Sequence, residues 1–128
     1  MRQQLGRQVV ASYSVLVGVA TIATWIFLLT IGDVPQAFER PFELTFHILA
    51  EVVAAILLIM AGAGLFYLNS KSGWAPKLSL FSLGMLLYAT INAIGAYLQE
   101  GNMSMVILLI SVSISTVAVV ALPVNRRN

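Results

Sequence analysis

Four long runs of apolar residues alternate with three short polar interruptions. The runs cover residues 8–31, 42–68, 78–98 and 103–124. Each supplies the roughly 20 mostly apolar residues that a helix needs to cross a bilayer. The first interruption holds Gly32, Asp33, Pro35, Glu39, Arg40 and Pro41, the second Lys71, Gly73, Pro76 and Lys77, and the third Glu100, Gly101 and Asn102. The third is so short that helices three and four are predicted to form an antiparallel hairpin. The pattern predicts a single all-α domain over residues 1–128. That domain is a polytopic integral membrane four-helix bundle with antiparallel, up-down topology. The first run exceeds the apolar stretch of about 7–15 residues in a signal peptide, so it is read as a retained helix.

Within each run, small and polar residues recur at helical spacing. The predicted inward stripes are Ser14, Gly18, Thr21 and Trp25 on span one, and Glu43, His47, Ala50, Glu51, Ala54 and Ala61 on span two. On span three the stripe is Gly84, Tyr88, Asn92, Gly95 and Gln99; on span four it is Ser104, Ser111, Ser115 and Ala118. Hydrocarbon offers no hydrogen-bond partner, so such residues are expected to face neighbouring helices.

Composition supports a lipid solvent. The chain is 59% hydrophobic and 9% charged over 128 residues. So short a chain has too little interior to hide that much apolar surface from water. Its net charge of +2 is scattered and forms no basic stripe, which argues against nucleic acid as a partner. With no cysteine, the chain has no disulfide, no thiolate metal site and no thiol redox chemistry.

The positive charges predict an orientation. Arg2, Arg7, Lys71, Lys77, Arg126 and Arg127 fall on one side of four alternating helices, and only Arg40 falls on the other. The basic side is expected in the cytoplasm. Both termini are then cytoplasmic (N-in, C-in), and the expected location is the cell membrane. Tyr13, Tyr67 and Trp74 are expected at the inner interface, with Phe38, Phe42 and Tyr97 at the outer one.

Candidate chemistry gathers on span two. Glu43, His47 and Glu51 lie four residues apart and form one row along a helix. Placing a charge near the bilayer centre costs about 2.5–3.5 kcal/mol even on the lenient insertion scale. Such a group is expected to face a partner or a cavity. Asn92 is expected at a matching depth, about 10 Å from the outer end of span three, with Tyr88 one turn deeper. These residues predict a polar pocket in the outer half of the bundle, lined by Glu51, His47, Asn92 and Tyr88, with Glu43 a further candidate near the outer interface. Thr24 and Trp25 reach the same level on span one. The plainer alternative is helix–helix glue, at about 0.6 kcal/mol per contact.

Three functions fit that pocket. The first is binding of a small ligand, a cation or a proton, because an adjacent His and Glu can share one proton. The second is a structural or accessory subunit, working as a homo-oligomer or within a larger membrane complex. The third is a membrane enzyme with His47 and Glu51 as an acid–base pair. Connections of no more than about ten residues hold little substrate, which weighs against catalysis. His47 and Glu51 are also candidate metal ligands, but one helix seldom surrounds a metal. A single histidine leaves a bis-histidine haem incomplete. The serines of span four have no base at their depth, so a serine hydrolase is excluded. No particular cofactor is implied.

Overall fold

The computed structural model is all-α and describes residues 1–33, 41–67 and 73–122. Its helices are α1 (Arg2–Ile31), α2 (Pro41–Tyr67), α3 (Trp74–Glu100) and α4 (Met103–Val120). All four are long and apolar enough to cross a membrane. Phe38, Glu39, Arg40, Lys71, Arg126 and Arg127, together with the predicted span ends at Leu68 and Val124, lie outside the described residues.

Two helices start earlier than their apolar runs. α1 begins at Arg2 rather than at residue 8, because Gln4, Leu5 and Arg7 are good helix formers and no proline intervenes; the single Gly6 is carried within the helix. α3 begins at Trp74 and includes Pro76. The first turn of a helix does not use its backbone N–H groups, so a proline is tolerated there.

The α3–α4 turn is the predicted hairpin. Gly101 adopts φ 72°, a left-handed conformation in which glycine has no Cβ to clash. Its N–H donates to the Leu98 carbonyl at 3.1 Å, and that of Asn102 to the Tyr97 carbonyl at 3.0 Å. The Asn102 side chain then caps α4 by accepting from the Met105 N–H at 3.3 Å.

α1 and α2 pack most closely. A Cβ on Gly18 would lie 2.7 Å from the Ala55 carbonyl oxygen, and one on Gly62 would lie 2.8 Å from that of Ala11. Glycine at these crossings lets the two backbones approach to a distance no other residue permits. Beyond them, Arg7 Nε donates to the Leu65 carbonyl at 2.7 Å, satisfying an acceptor in the last turn of α2. The partners advance along α1 as they retreat along α2, so the two helices run antiparallel. Ser113 Oγ donates to Thr90 Oγ1 at 3.0 Å between α3 and α4.

The bundle is solid at one end and hollow at the other. Val10, Ala11, Leu58, Leu65, Ala75, Leu83, Leu86 and Val119 form the buried core. They lie toward the end where α3 begins, here the Trp74 end. The opposite, Gly101 end holds the cavity described below.

Two predicted inward stripes face outward instead. Gly84, Tyr88, Asn92, Gly95 and Gln99 of α3 are exposed, as are Ser104, Ser111, Ser115 and Ala118 of α4. α3 turns Ser79, Ser82, Leu83, Leu86, Ala89, Thr90 and Ala93 inward, and α4 turns Val106, Thr116 and Val119 inward. On α4 the reason is local. Ser111 donates to the Ile107 carbonyl at 2.9 Å and Ser115 to the Ser111 carbonyl at 2.7 Å. A serine satisfied by its own helix gains little from facing another. α3 carries two small-residue stripes, and the alanine- and serine-rich one fits between its neighbours.

Candidate functional site: a cavity walled by all four helices

The predicted stripe of α1 does face inward. Ser14 and Gly18 are buried and Thr21 is partly buried, which brings Trp25, 6% exposed, against α2. There the indole Nε1–H of Trp25 donates to one carboxylate oxygen of Glu51. The other carboxylate oxygen lies 3.2 Å from His47 Nε2, one turn earlier on α2. The side chains of His47 and Glu51 are 13% and 15% exposed. The imidazole also stands edge-on to the indole, with ring centroids 6.0 Å apart and planes at 77°. That is a favourable aromatic geometry. A carboxylate offers about four lone-pair positions, and these two contacts occupy two of them.

The cluster sits on the wall of a cavity of about 370 Å³ between all four helices. That volume lies within the range of small-molecule sites. The space exists because the facing side chains are short. α3 contributes Ala89, Thr90, Ala93 and Ala96, and α2 contributes Ala54 and Ala55. Leu16, Leu28, Leu86 and Leu109 make most of the remaining wall apolar, and Thr21, Thr24 and Tyr97 add polar atoms.

The structure divides the predicted pocket in two. Glu51 and His47 line the cavity together. Asn92 and Tyr88 do not; they line a groove on the outer surface between α2 and α3, with Gly84 as its floor. His47 borders both spaces. Glu43 is exposed in the first turn of α2 and lines neither. No three His, Asp or Glu side chains converge among the described residues as a metal site would require.

Trp25 and Tyr97 are site residues that the sequence reading did not single out as ligand contacts. The signal for Trp25 was present, since it closes the small-residue stripe of α1 at the depth of Glu51. No such signal marked Tyr97, because an aromatic residue near the end of a span reads equally well as an interfacial anchor.

The cluster can accept a hydrogen bond or a positive charge at Glu51 and can exchange a proton at His47, inside a largely apolar enclosure. Fold and site together define a four-helix bundle of membrane-spanning length with an acid–imidazole–indole cluster on the wall of an interhelical cavity. The chain belongs to the family described as Domain of unknown function (DUF8058), which matches residues 4–128. No curated protein and no solved structure shows significant similarity to it.

Proposed function

We propose that this chain is a multi-pass protein of the cell membrane, with both termini in the cytoplasm, that binds a small ligand in the interhelical cavity through Glu51 and His47. One observation carries the reading. A carboxylate stands on the wall of an otherwise apolar cavity, held by Trp25 and His47 but with acceptor capacity left. Ionisable groups at such depth are expensive and mark ligand or proton pathways by default. The charge pattern of the connections supports the orientation.

Trp25 reports on the site if Trp74, the other tryptophan, is changed to Phe. Titration of the reconstituted Trp74→Phe protein with propylammonium is expected to shift Trp25 emission saturably. Glu51→Gln is expected to abolish the shift while leaving thermal unfolding nearly unchanged. An emission that no ammonium ion moves, or a response that survives Glu51→Gln, overturns the reading. The absence of cysteine makes the orientation directly testable. Ser104→Cys in intact cells should react with a membrane-impermeant maleimide, and Lys77→Cys should not.

A second reading, assembly with another copy of the chain, is favoured by the outward face of α3. Tyr88 is 73% exposed there, and Asn92 and Gln99 share the face. In hydrocarbon an amide gains from a partner. A primary amide both donates and accepts, so Asn92 can pair with its own copy across a two-fold axis.

A further inference from the structure

The four seams between neighbouring helices differ. At the α1–α2 seam Gly18 lies against Ala55, and Trp25 is bonded to Glu51. At the α3–α4 seam Ser113 is bonded to Thr90. Along α2 and α3, Ala54, Ala89 and Ala93 are buried. Among the described residues, the α1–α4 seam is tied by Tyr13, toward the Trp74 end. There the Tyr13 hydroxyl donates to the Val112 carbonyl at 3.2 Å and meets Thr116 Oγ1 at 2.8 Å. Beyond that tie, Leu16, Ala20 and Thr24 of α1 and Leu108 of α4 line the cavity and are also exposed on the outer surface. Leu16 is 69% exposed and Leu108 54%. A residue that borders the cavity and the exterior at once stands on a rim.

We infer that the cavity opens sideways between α1 and α4, and that its ligand is a single-chain alkylammonium amphiphile drawn from the bilayer. The inference rests on the proposed membrane setting and on ligand binding at Glu51. Leucine and alanine form most of the rim, so the opening faces acyl chains rather than water. A tail of any length lies through the seam with its end in lipid. The ammonium head reaches the Glu51 carboxylate, whose remaining lone pairs accept its N–H groups, in a cavity that Trp25 and Tyr97 also line. Head and tail thus match the one charged patch and the apolar seam.

The test uses the Trp74→Phe protein in bilayers, with propylammonium and dodecylammonium as probes. Lipids brominated along their acyl chains are expected to quench Trp25 through the seam, and dodecylammonium is expected to relieve the quenching. Apparent affinity, referred to the aqueous concentration, should rise about fourfold per added methylene without levelling off, as expected for a tail buried in lipid. Ala20→Phe places a ring on the rim at an exposed position. It should weaken dodecylammonium binding at least about tenfold, or roughly 1.4 kcal/mol, restore Trp25 emission in brominated lipid and leave propylammonium binding in place. Trp25 emission indifferent to brominated lipid, or equal binding of both amines that Ala20→Phe does not change, overturns the lateral opening while ligand binding at Glu51 stands. If neither amine binds, the ligand reading itself fails, and this inference fails with it.

Discussion

The indole N–H of Trp25 is bonded to the carboxylate of Glu51, so the least exposed acidic group among the described residues is held from the neighbouring helix. The bond joins α1 to α2 beside the cavity. A hydrogen bond to an ionised group contributes about 1.5–3 kcal/mol, and a buried acceptor that loses its donor incurs a desolvation penalty. Trp25→Phe is therefore expected to lower unfolding stability in detergent by roughly that amount. Glu51→Gln should cost less, since the amide carbonyl still accepts from the indole. A cycle that pairs Trp25→Phe with Glu51→Leu, which removes the acceptor, should show a coupling of about 0.5–3 kcal/mol. Strictly additive losses in a denaturation series would remove the bond from the account.

Gly18 and Gly95 look alike in the sequence, each flanked by apolar residues within an apolar run, yet their surroundings are opposite. A Cβ at Gly18 meets the Ala55 carbonyl at 2.7 Å and the Ile59 side chain at 2.8 Å, whereas a Cβ at Gly95 meets nothing within 4 Å. Backbone cannot yield as a flexible side chain can. Gly18→Ala should push α1 from α2 and cost about 1–3 kcal/mol, the usual range for overpacking. Gly95→Ala should be neutral or stabilising by up to about 1 kcal/mol through helix propensity. Midpoints of thermal unfolding in one detergent check both; equal losses at the two sites would mean that α1 and α2 do not cross at Gly18.

Tyr13 is the pin between the first and last helices. Its hydroxyl contacts Thr116 Oγ1 at 2.8 Å and the Val112 carbonyl at 3.2 Å. Ser14, one residue on and fully buried, has no hydrogen-bond partner for its hydroxyl. The two neighbours should therefore respond in opposite ways. Tyr13→Phe should destabilise by about 0.6 kcal/mol, the average for hydrogen bonds between membrane helices, and by no more than about 1.7 kcal/mol. Ser14→Ala should be neutral or stabilising, because it removes an unsatisfied polar group from the interior. Denaturation of both variants decides the matter, and a larger loss from Ser14→Ala than from Tyr13→Phe would contradict the packing described.

How much of this was legible beforehand varied by helix. The four helices and the Gly101 hairpin could be read directly, because apolar run length and turn residues are local signals. The inward face of α1 was also legible, since Ser14, Gly18, Thr21 and Trp25 follow one another at helical spacing. Of the row on α2, His47 and Glu51 line the cavity while Glu43 is exposed in the first turn. The faces of α3 and α4 were not legible. α3 has small residues on two sides, and choosing between Gly84–Asn92 and Ser79–Ala93 depends on which neighbours it must fit. The serines of α4 bond to their own carbonyls, a choice that residue identity does not reveal. Asn92 matched Glu51 in depth but not in azimuth, and depth is all that counting along a helix supplies.

In the proposed assembly with a second copy, Asn92 is the residue expected to carry the contact. It is exposed on the groove between α2 and α3 that Gly84 also lines, outside the cavity. If α3 packs against α3 of another copy, the Asn92 amides pair across the two-fold axis, and Gly84 and Gly95 let the helices come close. Asn92→Leu should then shift the mass of the purified protein in mild detergent from dimer toward monomer. Each Asn92 bond contributes about 0.6 kcal/mol on average between membrane helices, so the shift should be partial at high protein concentration and clear on dilution. Gly84→Leu, which adds bulk to the same face without removing an amide, should produce the same shift. Ser111→Leu, on α4, should not. A protein that is monomeric with Asn92 in place, or a dimer indifferent to both α3 changes, would assign this face to lipid alone.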